Sequence, residues 1–288
     1  MSILNQFPRS SQAASESAVS ARVSVGSGGS KVTSIHRNVS QEVDSVMAAE
    51  SFSEAEMREL VAKKIQSLPP LSKTIVDIYA LRRSPDPDVT RLKEIIRNDS
   101  ATAGNLVKIC HCVAYGLSKR VKTPEDALSQ LGTRMVINVA MSTSMSAHVK
   151  ADLAPYGATQ DSFADTSSTQ GLIIRKWKEP KFSTTADDVQ FAALLQEIGA
   201  LVTSQIAMEK GKASALQSAL SQTEDRVAAE ESIFGMSSAS VAAIVFSEWK
   251  FSQDIVDYIG GSDRPETAPE YAAMGAKALK IAKVLAPL

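Results

Sequence analysis

The chain is poor in imidazole and thiol groups, two of the main metal ligands: three histidines and two cysteines in 288 residues. A site holding one or two catalytic metals needs several imidazoles and carboxylates converging together, so few imidazoles are on hand. The two cysteines, Cys110 and Cys112, stand two residues apart. That is too close for an ordinary structural staple and fits a reducing cytoplasm. No apolar run approaches the roughly 20 residues needed to span a bilayer. The start, Met1 to Pro8, lacks a basic region followed by an apolar stretch, so no secretory leader is expected. Neither sign of charge dominates: 31 basic residues face 32 acidic ones, a net of -1, so no overall field steers the chain to nucleic acid or an anionic membrane. Alternating strand patterns bounded by hairpin turns are missing, which leaves an all-α class. No internal repeat occurs at the usual solenoid periods.

A 44% hydrophobic content is enough to bury a sizeable core, as one large domain or two small ones. Residues 1 to about 35 are rich in Ser, Ala and Gly, as in Ser24-Val25-Gly26-Ser27-Gly28-Gly29-Ser30. Such a segment buries too little apolar surface to offset its ordering entropy. Val39, Val43, Val46 and Met47 fall near helical spacing, but their face is narrow and would order in part, from residue 36, on a partner. The reading is a flexible tail over 1–50 and a helical domain over 51–288, with a loop near 150–162 that would divide two sub-bundles if there are two.

From Ser53 onward helix signals follow one another. Ser53 and Glu56 form a capping box before Met57, Leu60, Val61 and Ile65, and Pro69-Pro70 stops that helix. Leu71, Ile75, Ile78 and Tyr79 make a second stripe. Asp88 or Thr90 caps a third helix, Asp99 a fourth, and Thr123-Pro124-Glu125-Asp126 supplies cap, N1 proline and acidic first turn for a fifth, closed by Gly132. Thr133 is expected to cap a helix running towards His148. Further helices are expected over 162–178, ended by Pro180, then 185–210, 213–221, 224–234, 238–248, 253–259 and 268–285. The segment from Thr185 to Lys210 is apolar nearly all round, which places it at the centre of a bundle.

Within that segment Phe191-Ala192-Ala193-Leu194-Leu195-Gln196-Glu197-Ile198-Gly199 carries an adjacent polar pair where packing prefers apolar residues. Other spaced signatures accompany it: Leu68-Pro69-Pro70-Leu71, Ile95-Ile96-Arg97-Asn98-Asp99-Ser100, Val113-Ala114-Tyr115-Gly116-Leu117 and Ala127-Leu128-Ser129-Gln130-Leu131-Gly132. Glu231-Ser232-Ile233-Phe234-Gly235 and Trp249 ahead of Pro265 follow. In order and spacing they resemble the HDOD (HD-related output) domain family over about residues 68–265. The resemblance implies a compact multi-helix bundle of the HD/HDOD type. In HD relatives the stretch reads Leu-Leu-His-Asp-Ile-Gly, and the His-Asp pair ligates metal. Here Gln196-Glu197 stands in its place, Ser238 where a His often follows the Phe-Gly turn, and Ser262-Asp263 where His-His precedes the last Pro. His36, His111 and His148 match none of these positions. Hence Gln196, Glu197, Ser238, Ser262 and Asp263 are candidates for a relic pocket, with no metal and no cofactor expected.

Other features have bland readings that outweigh sharp ones. Cys110-His111-Cys112 lacks the spacing and the second pair that zinc requires. Trp177 and Trp249 fall where core anchors belong, and Lys119-Arg120-Val121-Lys122 reads as a solvated loop. Glu197 faces solvent, or pairs with a cation such as Arg175 or Lys176, because an unpaired buried carboxylate is costly; alternatively it lines a pocket for a small polar ligand. The expected role is a non-enzymatic, cytoplasmic signal-transduction module of a bacterium, acting through a protein partner. The alternatives are a divergent metal-dependent phosphohydrolase acting on nucleotides and a metal-free sensor of a nucleotide second messenger.

Overall fold

A computed structural model describes residues 51–111, 117, 120–177 and 185–288. The expected tail with His36, the Val113–Gly116 signature, Cys112, Lys119 and the Pro180 stop lie outside the described residues. The helices are α1 (Glu54–Ser67), α2 (Lys73–Arg83), α3 (Val89–Asn98), α4 (Ser100–Cys110), α5 (Pro124–Leu131), α6 (Thr133–Val149), α7 (Gln160–Lys176), α8 (Ala186–Leu195), α9 (Ile198–Glu209), α10 (Ala213–Gln222), α11 (Arg226–Phe234), α12 (Ser238–Glu248), α13 (Gln253–Gly260) and α14 (Glu270–Leu285). Short 3₁₀ turns cover Ala154–Tyr156 and Pro265–Thr267. Among the described residues there is no strand, and the class is all-α, as the patterning implies.

Local chemistry explains most of the boundaries. Ser53 and Glu56 close a capping box on α1, Asp88 and Asp99 cap α3 and α4 through their carboxylates, and Thr123 with Asp126 boxes the start of α5 behind Pro124. Three expectations need correction. Thr133 does not cap α6 but is its first residue; the N-cap is Gly132 at φ +81°, a conformation suited to glycine, and it makes no side-chain cap bond. Arg134 in the first turn instead reaches across to the carbonyls of Arg82, Ser84 and Pro85 at the end of α2. Helix α7 begins at Gln160 because Thr159 caps it, with Ser162 answering from the third position.

The third correction bears on the site. The segment expected as one helix over 185–210 is interrupted: Gln196 and Glu197 form a turn between α8 and α9, where the Ala200 amide bonds the Glu197 carbonyl three residues back. The two halves together, Ala186–Glu209, match a membrane-crossing helix in length, and an 18-residue window within them has a mean hydropathy of 1.3. Yet 89% of that apolar window is buried by its neighbours, which marks a core helix. Helices α7, α12, α13 and α6 pack around it, and α14 closes on α7 and α13. One continuous apolar cluster runs from Met57 in α1 to Ala282 in α14, on both sides of the 150–162 loop. Within it Phe251 stacks with the partly buried Tyr79 at 4.5 Å and tilts against Phe246 at 4.9 Å. Trp249 meets Phe246 edge-on at 6.1 Å, and Trp177 is half-buried against the same core.

The α8–α9 turn is pinned by a close approach. A Cβ added at Gly199 would lie 1.8 Å from the Ser238 carbonyl oxygen and 2.9 Å from the Ala242 amide nitrogen, so the two backbones touch where α9 crosses α12. Gly104, exposed on α4, has nothing within 4 Å of such a Cβ. Gly199→Ala should therefore cost about 3 kcal/mol through forced backbone displacement, whereas Gly104→Ala should gain about 0.5–1 kcal/mol from helix propensity alone. Urea unfolding of the two variants checks this; equal effects would disprove the contact.

Candidate functional site

Gln196 and Glu197 are both buried, at 0% and 1% exposure. Their partner is one amide, Gln170 on α7. Its oxygen accepts from Gln196 Nε2 at 2.9 Å, and its nitrogen donates to Glu197 Oε1 at 2.9 Å and to the Ala286 carbonyl at 2.8 Å. One side chain thus serves both members of the polar pair, and the turn between α8 and α9 points both of them toward α7. The cation that balances Glu197 is Arg226, the first residue of α11, whose Nη1 lies 2.8 Å from Glu197 Oε2. Arg175 and Lys176, the cations expected for this role, are exposed on the last turn of α7. They lie more than 100° round the helix from Gln170, so the face that meets Glu197 is not theirs.

Arg226 serves a second buried carboxylate. Its Nε donates to Glu230 Oε1 at 2.8 Å, one helical turn on, and its Nη2 donates to Ser238 Oγ at 2.9 Å. Glu230, fully buried, also accepts from Tyr156 Oη at 2.9 Å and from the Ser238 backbone amide at 2.6 Å. The guanidinium sits over the Tyr156 ring, 5.0 Å from its centre. The network therefore runs from Gln196 through Gln170, Glu197, Arg226 and Glu230 to Tyr156. It joins α7, the α8–α9 turn, α11, the start of α12 and the 3₁₀ turn at Ala154–Tyr156.

The electrostatics follow from burial and charge. Burial pushes the Glu197 carboxyl up, but the charges of Arg226 and Lys283 and the hydrogen bonds from Gln170 and Arg226 outweigh it and hold it below its ordinary 4.5. Asp263 is likewise raised by burial and brought below 3.8 overall, chiefly by Lys283, whose Nζ lies 2.8 Å from Oδ1. Burial favours the neutral form of Arg226, yet the two carboxylates keep it firmly protonated. The Tyr156 hydroxyl is pushed well above its usual value, first by burial and then by the charge of Glu230. Away from the site, burial raises the Cys110 thiol to about 11, which leaves little reactive thiolate at neutral pH.

Beside this network lies a cavity of about 700 Å³. Three of the five residues picked out from sequence, Glu197, Ser238 and Asp263, line it; Gln196 and Ser262 are wholly buried behind them. Seven carboxylates and four cations border the cavity. Arg226, Glu230, Gln170, Tyr156 and Lys283 were not picked out. For two of them a signal was present: Arg226 and Glu230 share the helical face of Ile233 and Phe234, at spacings of four and three to four, where solvated charges do not belong. Gln170 similarly stands on the buried face of Phe163, Ser167 and Ile174.

A family model described as HDOD domain matches residues 68–265. The chain belongs to the HDOD family. Solved structures share the HDOD fold at low identity. One is a provisionally named phosphohydrolase from Shewanella amazonensis SB2B, 20% identical, with 79% of this chain and 80% of that one covered and a TM-score of 0.59. Another is a provisionally named signal transduction protein from Marinobacter aquaeolei VT8, also 20% identical, with 83% of this chain but 57% of that one covered and a TM-score of 0.62. A third is an HDOD domain protein of unknown function from Geobacter sulfurreducens, 14% identical, with coverage of 80% and 78% and a TM-score of 0.60. No curated protein matches the chain.

The metal that HD relatives hold through a His-Asp pair does not fit the residues of this HDOD chain. All four carboxylate oxygens of Glu197 and Glu230 already accept hydrogen bonds from protein donors, and the cation position between them is occupied by Arg226. Among the described residues no group of three or more His, Cys, Asp and Glu side chains is placed to hold a metal.

Truncating one partner of a buried ion pair leaves the other uncompensated, so Arg226→Ala should lower unfolding stability by roughly 3–5 kcal/mol. Pairing it with Glu197→Gln should restore part of that loss, as guanidinium denaturation of the two variants would reveal. The pH dependence has a definite sign. A carboxyl held low in the folded state contributes stability that is fully present above its unfolded value and is lost as pH falls through the folded one. Stability should therefore decline as pH drops below about 4.5 for Glu197, and Glu197→Gln should flatten that decline. An unchanged acid profile in the variant would contradict the assignment.

Proposed function

We propose that this HDOD protein is a regulatory module of signal transduction that works by binding a protein partner and performs no catalysis of its own. The observation that carries this reading is Arg226 between Glu197 and Glu230. A hydrolytic metal centre lowers the pKa of bound water and clamps phosphate, and both tasks need an exchangeable coordination position. A guanidinium offers no such position and cannot be deprotonated in a protein.

The charge around the cavity supports a protein partner over a nucleotide. Seven carboxylates against four cations repel a phosphate-bearing ligand, and the cations Arg226, Lys283 and Arg264 are each already paired with a carboxylate. Exposed apolar surface supports the same reading: Met274, Ile281, Val284 and Leu285 lie along one outer side of α14. The module would be cytoplasmic, as the balanced charge and sparse cysteine suggest.

Purified full-length protein should retain no stoichiometric Mn, Fe or Mg after dialysis. It should release no phosphate from a panel of nucleotides and cyclic dinucleotides supplied with each metal. Metal-dependent turnover that disappears in Glu197→Gln would overturn the reading in favour of an enzyme. A saturable rise in Tm with a cyclic dinucleotide alone would overturn it in favour of a nucleotide sensor. On the partner side, a protein recovered from native cells and then purified should bind directly, and the Ile281→Glu, Leu285→Glu double variant should weaken that binding at least tenfold.

A further inference from the structure

Among the described residues eight large apolar side chains are exposed, and five of them, Tyr271, Met274, Ile281, Val284 and Leu285, stand on the single helix α14. The other three, Val76, Val89 and Met208, are scattered over α2, α3 and α9, as is ordinary for a protein surface. At about 100° per residue, Met274, Ile281 and Leu285 fall within about 40° of one another, with Tyr271 and Val284 to either side. They make a stripe about 21 Å long. The other side of α14 is spent on the bundle, where Gly275 meets the Tyr258 ring of α13 and Ala272, Ala276 and Leu279 are buried. The helix thus has two apolar sides, and the outer one has no partner among the described residues.

The charges that border this stripe say what covers it. At its start the Tyr271 hydroxyl donates to Asp257 of α13, and the exposed Asp254 stands one turn before Asp257. Near its end Val284 and Lys280 line the cavity of about 700 Å³ beside the Arg226 network. There Arg226, Lys283 and Arg264 already hold carboxylates, whereas Glu224, Asp225 and Glu266 are exposed and make no ion pair among the described residues. Lys280 is the unpaired cation set against those three. On the outer face itself Glu270 and Lys277 carry one charge of each sign, so both borders stay acidic. An anionic membrane is repelled by such borders. A second copy, paired two-fold through antiparallel α14 helices, brings the exposed Lys277 against its own counterpart, because it stands next to the midpoint of the stripe. A helix with lysine or arginine on either side of an apolar face complements both the stripe and its borders.

We propose that the outer face of α14 docks a basic amphipathic helix of the protein partner, with apolar residues on Met274, Ile281 and Leu285 and a lysine or arginine reaching into the cavity toward Glu224, Asp225 and Glu266. The inference rests on the protein-partner reading and gives that partner its chemistry. The probe is a labelled synthetic helix of 18 residues with leucines at i, i+3, i+4 and i+7 and lysines beside them. Its controls are an acidic twin with glutamate for lysine and a shuffled sequence of the same composition. Fluorescence anisotropy with the full-length protein at physiological salt should show saturable binding of the basic helix, with the twin and the shuffled peptide at least tenfold weaker. Glu224→Lys with Glu266→Lys should reverse the preference between the twins, while Glu59→Lys with Glu94→Lys, on α1 and α3, should leave it unchanged. Ile281→Ser with Leu285→Ser, its fold verified by circular dichroism, should weaken the basic helix at least tenfold. Equal binding of the twins, or an unreversed preference, would overturn the proposal. So would sedimentation with phosphatidylserine vesicles, in favour of a membrane, or a dimer lost in the serine variant, in favour of a second copy. A purified cellular partner that binds equally with and without Glu224→Lys and Glu266→Lys would sink this inference and leave the protein-partner reading standing.

Discussion

Two carboxylates buried in one protein interior repel each other and lose their hydration, so they persist only if a cation is buried with them. Glu197 and Glu230 meet that condition through a single guanidinium. Arginine suits the task better than lysine would. Its planar fork presents separate N–H groups to Glu197, to Glu230 and to Ser238, while its face rests on Tyr156. A buried pair of this kind often adds little net stability compared with a well-packed apolar replacement. What it adds is conditionality, since five segments must meet in one arrangement or leave polar groups uncompensated. The network thereby selects the path of the chain more than it deepens the free-energy minimum.

The shape of the central helix follows from that requirement. A continuous helix from Ala186 to Glu209 would bury its whole circumference in apolar neighbours, and two consecutive polar residues on it would point about 100° apart. The turn at Gln196-Glu197 brings both onto Gln170, whose two amide ends complement one donor and one acceptor. The same turn delivers Gly199 to the backbone of α12 at Ser238, and Ser238 in turn gives its amide to Glu230 and its hydroxyl to Arg226. Packing and polar satisfaction therefore meet at one corner. An added methyl there disturbs the same contacts that hold the charges.

Local rules read the sequence well where the cause is local. Ser53, Asp88, Asp99 and Thr123 cap the helices that follow them because a short side chain can satisfy an amide two or three residues on, whatever the rest of the fold does. The all-round apolar character of 186–209 correctly placed it at the core. Thr133 misled because its neighbour Gly132 already turns the chain, and because Arg134 ties that end of α6 to carbonyls about fifty residues earlier in the chain. The cation for Glu197 was misplaced for a similar reason. Arg175 and Lys176 are nearer in sequence than Arg226, but which side of α7 faces the turn is decided by Phe163, Gln170 and Ile174. Arg226 and Glu230 could have been found by asking which charged residues share a helical face with Ile233 and Phe234. The long-range pairing itself was not legible, since nothing in the spacing of residues 197 and 226 encodes their contact.

A divalent ion and a guanidinium can both neutralise two buried carboxylates, but they leave different freedom behind. A metal brings empty coordination positions, exchanges with solvent and holds water as a nucleophile. A guanidinium is covalently tethered, and its donors here are committed to Glu197, Glu230 and Ser238. In this chain the electrostatic need at the corner is met by the guanidinium. The interior charges at this corner of the HDOD bundle are therefore balanced by the chain's own side chains, and the geometry of α11 against the α8–α9 turn is what keeps them so.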